Sequence, residues 1–138
     1  MTCDSAAAVA RAAQALVGAP YRLHGRDPRS GLDCVGLVAA ALAAADLPVD
    51  PPAGYGLRNR DPAAPDAIAR RCALRPVSTP VRRGDIVMAR PGPAQLHLLV
   101  CADPDTFIHA HAGLRRIVAM PGPLPWPVLR HWRPGGKD

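Results

Sequence analysis

The chain has 138 residues, 49% of them hydrophobic, which is enough for one domain spanning residues 1–138 and too few for two. Its formal charge of +6 and pI near 9.9 suit an anionic partner, but the arginines are scattered and only one Phe, two Tyr and two Trp accompany them, which argues against a nucleic-acid stacking platform. Cysteines at positions 3, 34, 72 and 101 form no CxxC pair, so neither a structural metal site nor a disulfide framework is expected, and no run approaches the roughly 20 apolar residues of a membrane span.

Asp4 or Ser5 is placed to cap a helix running through Val9, Ala12, Ala13, Leu16 and Val17, with Gly18 as its stop and Pro20 beyond. Residues 21–31, rich in Gly, Pro, Arg and Asp, read as a loop. Cys34, Leu37, Val38, Ala41, Leu42 and Ala45 then recur at helical spacing, so Cys34 opens a buried helix that Leu47 and Pro48 end. Residues 50–56 read as another loop and 63–72 as a short helix introduced by Pro62. Beyond Val81 the period falls to two, and 85–89, 96–101, 106–111 and 115–119 read as strands of an antiparallel meander. Helices followed by strands define an α+β domain, with the helices packed on one face of the C-terminal antiparallel sheet.

The chemistry-bearing residues sit at the joints of this plan. A thiol at the start of a helix lies where unpaired N–H groups and the helix dipole favour negative charge, so the pKa of Cys34 is expected to fall below the usual value of about 8.5. Gly36 leaves room for a substrate backbone, and amides near Cys34 are placed to donate to an oxyanion. On the strand side, His97 shares a face with Leu99 and Cys101, as His109 does with Phe107 and His111. A three-residue loop around Asp103 makes Cys101 face Asp105 and sets His97 opposite His109, and a five-residue loop sets it opposite His111. Nucleophile, base and orienting group together follow the logic of a catalytic triad.

Taken in order, Ala19-Pro20-Tyr21, Gly25, Gly31-Leu32-Asp33-Cys34-Val35-Gly36-Leu37-Val38, Arg83-Gly84-Asp85-Ile86-Val87, His97 and Phe107-Ile108-His109-Ala110 resemble the motif set of the NlpC-type (NlpC/P60) cell-wall cysteine peptidase family. The resemblance spans roughly Tyr21 to Ile117. It implies a papain-like fold, with Cys34 as nucleophile, His97 as base and His109 as the third member. The spacing of twelve positions from His97 to His109 matches the family and favours the three-residue loop. It also implies that Tyr21 lines the substrate or oxyanion side and that Asp33 receives the free amine of a peptidoglycan stem peptide, with helix capping as the other reading of Asp33. Val35 stands where the family commonly has Ser, and Leu23-His24-Gly25 where it has a Trp-Gly-Gly-like stretch, which bears on the bond cut.

The implied activity is cleavage of stem peptides, typically between D-glutamate and a diamino acid, without metal or other cofactor. The resemblance is strongest to small peptidases of phage tails and gene transfer agents. A protein made in the cytoplasm without a signal peptide and carried to the cell wall by tail assembly partners fits that context. Two other functions stand beside it: a non-enzymatic tail or assembly module, and an amidase or acyltransferase on another substrate. Zinc held by His97, His109 and His111 is disfavoured because no carboxylate accompanies them at a recognisable spacing. Trp126 and Trp132 read as pins holding the C-terminal segment to the body.

Overall fold

The computed structural model describes residues 5–49, 69–93, 95–103 and 105–134. The loop expected at 50–56 lies outside them, as does the helix expected at 63–72 except for its last residues, of which 69–71 are helical.

Helix α1 (Ser5–Ala15) buries Val9, Ala10 and Ala13. Its chain stops at Gly18, where a φ of 97° suits a residue without Cβ and the amide donates to Ile117 O at 2.9 Å. Two short strands, β1 (Arg26–Asp27) and β2 (Gly31–Leu32), form a small hairpin within the expected loop. Helix α2 (Cys34–Ala44) is apolar on nearly every side because it lies between α1 on one flank and the sheet on the other. Ala10, Ala13 and Ala41 are fully buried, and their small side chains let the layers approach closely.

The sheet has six strands, β3 (Leu74–Pro76), β4 (Ile86–Ala89), β5 (His97–Asp103), β6 (Thr106–His111), β7 (Arg116–Pro121) and β8 (Val128–Pro134). All neighbours are antiparallel, in the order β3-β8-β4-β5-β6-β7. The expected meander is therefore β4 to β7. The proline-rich tail holds a further strand, β8, which returns across the sheet and pairs with both β3 and β4. Alternation sends Ile86, Met88, Val100, Ile108, Ile117 and Trp132 into the main core under the helices. The opposite face carries Val87, Leu99, Cys101 and Phe107, covered by Val81, Met120, Leu124 and Trp126. Both faces of the central strands are thus buried, the second by chain segments rather than helices. Among the described residues no helix is long and apolar enough to cross a membrane.

The hairpin register differs from expectation. Leu99, not His97, stands opposite His109, and Asp103 pairs with Thr106 after a shift between Cys101 and Asp103. A β-bulge at Ala102 absorbs a residue, so the turn is tighter than a three-residue loop, and neither loop length anticipated this pairing.

At the head of β4, Asp85 is wholly buried and ties that strand to β8, which is made more than thirty residues later. It accepts from Arg133 Nε and Nη2, both at 2.9 Å, and from the Arg82 amide at 2.9 Å. Removing one partner of a buried ion pair strands the other without compensation. Asp85→Ala is expected to lower the unfolding free energy by about 3 kcal/mol in urea titrations; an unchanged midpoint would show that the pair does not hold β8 in place.

Candidate active site

The start of α2 is set by Asp33. Its carboxylate is 1% exposed, and Oδ1 accepts from the Gly36 amide at 2.8 Å and from Arg26 Nη1 at 3.1 Å, while Oδ2 accepts from the His24 amide at 2.8 Å. Asp33 is therefore a helix cap and a clasp on the preceding loop, and a buried carboxylate so engaged is not placed to receive a substrate amine. The expectation for Gly36 is corrected likewise. A Cβ there would collide with the carbonyl of Gly25, so the missing side chain admits the loop rather than a substrate backbone.

Cys34 follows as the first residue of α2, 3% exposed. Burial pushes its thiol up to about 11; the amides of Leu98 and Val35 oppose the rise, and the Asp33 carboxylate adds to it. The expected depression of this pKa is overturned. The helix terminus does favour the thiolate, but its cap is itself an anion, and desolvation by burial is the largest influence on the thiol.

His97 opens β5 and lies diagonally across from His109 on β6, with Nε2 of the first 3.0 Å from Nδ1 of the second. Burial pushes both imidazoles down to about 4, helped at His97 by His109 and His111 and at His109 by His111. With the proton on Nε2, His97 donates to His109 and keeps Nδ1 as its basic atom. His111 takes no part in this bond, because its own Nδ1 accepts from the Leu114 amide at 3.0 Å. The diagonal contact thus selects His109 where register alone pointed elsewhere.

Trp126 stands edge-on to both rings, 5.9 Å from His97 and 6.0 Å from His109 between centroids. It does pack the C-terminal segment onto the sheet, as the sequence suggested, but its place beside the imidazoles had no signal in the chain's local pattern. Tyr21, Cys34, His97, His109, His111 and Trp126 line one cavity of about 500 Å³. Burial, then the neighbouring Asp33 and Cys34, raise the pKa of Tyr21. Among the described residues no three His, Cys, Asp or Glu side chains are grouped to hold a metal ion.

A thiol at a helix start on one side of an antiparallel sheet, and an imidazole pair at the end of its central strands, define a papain-like α+β fold. The NlpC/P60 family model matches residues 18–123, and the chain belongs to the NlpC/P60 family. Solved structures share this fold. NlpC2 from Trichomonas vaginalis aligns with a TM-score of 0.66 at 20% identity, over 97% of this chain and 48% of that one. NlpC1 from the same organism aligns with a TM-score of 0.66 at 21% identity, over 97% and 45%. The P60 domain of M. avium subspecies paratuberculosis antigen MAP1204 aligns with a TM-score of 0.59 at 19% identity, over 97% and 96%. The chain spans about half the length of the two Trichomonas proteins. No curated protein matches it.

The two depressed imidazoles fix a pH dependence. Between the ordinary value of 6.5 and about 4 the unfolded chain binds more protons than the folded one, so the stability they contribute is complete above 6.5 and is lost as the pH falls through about 4. Denaturation midpoints measured across that window are expected to drop, and to drop less steeply in His109→Gln. Parallel slopes for the two proteins would contradict a neutral buried pair.

Proposed function

We propose that the protein is a thiol hydrolase, a cysteine endopeptidase acting on peptidoglycan stem peptides, with Cys34 as nucleophile, His97 as general base and His109 orienting His97. The observation that carries this reading is the shared cavity, in which the His97 to His109 bond occupies Nε2 and leaves Nδ1 of His97 for the thiol. Thiol and imidazole both rest neutral, so the proton passes to His97 as Cys34 Sγ attacks the carbonyl carbon rather than beforehand. The backbone amides at the start of α2 stabilise the oxyanion, and His97 returns its proton to the departing amine. Water then attacks the thioester with His97 again as base, which frees the acid and restores the thiol.

Cell-wall peptide as substrate, cleavage between D-glutamate and a diamino acid, and carriage by a phage-like tail to the periplasm or wall follow from the family resemblance. One observation favours the other reading, a non-enzymatic tail or assembly module: the resting thiol is buried and protonated. In that case Cys34 would alkylate no faster than buried Cys72 and Cys101 in the folded protein.

Reduced protein incubated with stem peptides and followed by mass spectrometry is expected to release two fragments. His97→Ala should lower kcat/KM by about 10²- to 10⁴-fold, and Cys34→Ala should abolish turnover. Peptides left intact by a folded, reduced parent would sink the peptidase reading.

A further inference from the structure

Among the polar side chains of the cavity that the mechanism above leaves unused is a third histidine. His111 closes β6 just before the chain turns through residues 112–115. Its ring is held from behind: Nδ1 accepts from the Leu114 amide at 3.0 Å, and Gly113 lies so close that an added Cβ would sit 3.1 Å from Cε1. A neutral imidazole whose Nδ1 accepts carries its proton on Nε2. His111 therefore brings to the cavity a donor whose orientation is set by backbone, and it is half-buried where His109 is almost fully buried.

The lining around this donor holds no anionic side chain among the described residues. None of the described residues lining the cavity is Asp or Glu, while Tyr21, Gln95 and Trp126 add an O–H, an amide and an indole N–H. Arg115 is exposed in the turn that follows His111, and its carbonyl accepts from the Tyr21 amide, which keeps the turn at the cavity wall. With Asp33 engaged beneath the loop, the described lining offers donors to an anionic group and no carboxylate to pair with an ammonium group.

We infer that His111 is a specificity residue that donates from Nε2 to a carboxylate on the peptide beside the bond to be cut. This rests on the peptidase reading for the identity of the peptide but not for the binding itself. A hydrogen bond to a carboxylate is roughly twice as strong as one to a neutral amide, so the site should tell an acid from its carboxamide.

The test is calorimetric binding of two synthetic stem peptides to the Cys34→Ala protein, one with a free α-carboxylate on the D-glutamyl residue and one with that group amidated. The acid form is expected to bind about tenfold more tightly. His111→Asn keeps an acceptor for the Leu114 amide but its NH2 stops short of the Nε2 position, so it should bind both peptides alike; His111→Gln places an amide N–H near Nε2 and should retain most of the preference. Equal affinities in the His111 protein, binding of neither peptide, or a preference that survives in His111→Asn would overturn the inference. Hydrolysis by the unaltered chain is followed in parallel. If the carboxylate preference holds and neither peptide is cut, the peptidase reading falls while the subsite stands.

Discussion

One buried carboxylate fixes where the Cys34 thiol can be. Asp33 gathers the Gly36 amide, the His24 amide and the Arg26 guanidinium, so a single side chain both starts α2 and draws the preceding loop onto it. Left unpaired, such a charge would cost several kcal/mol; satisfied by three donors, it locks Cys34 at a helix terminus at the cavity wall. Gly36 completes the joint by letting the Gly25 carbonyl pass where a side chain would stand. The same anion opposes ionisation of the neighbouring thiol, so accurate placement comes with a resting site that is uncharged.

Strand β5 is the partition on which the rest is hung. Its even-numbered residues face the helices and its odd-numbered residues face Trp126, so thiol and imidazole approach from opposite sides and meet at the strand's first residues. The geometry follows from alternation together with a sheet covered on both faces, which brings the rings of His97 and His109 edge to face as well as into a hydrogen bond. A histidine rather than a carboxylate as the hydrogen-bond partner of His97 changes the electrostatics. It orients the ring but offers no negative charge against the burial that keeps both imidazoles neutral.

Much of this was legible in the chain itself. Helical spacing from Cys34 to Ala45, the switch to period two after Val81 and the ordered motifs pointed to the fold and to the residues that meet in the cavity. What escaped was decided by contacts distant in sequence. The bulge at Ala102 is a local backbone choice with no residue signature, and it moved the register while a diagonal contact preserved the histidine pair. Strand β8 was hidden by the prolines at its two ends and by arginines that suggest a solvated tail, although Trp132 fills the main core and Arg133 pairs with Asp85. The thiol's protonation depended on burial, which spacing and residue type do not reveal, and the place of Trp126 depended on a segment folding back over the sheet.

The placement of β8 between β3 and β4 also bears on how the molecule comes into being. A chain made from its N-terminus presents both of these strands early, and each keeps an unpaired edge until residues 128–134 have left the ribosome. Trp126, which flanks the imidazoles, emerges just ahead of that strand. Helices and hairpins can form as they appear, but the cavity cannot be finished on a partial product. The central sheet is closed by the last described strand, so the cavity takes its shape only after residues 126–134 have joined the earlier strands.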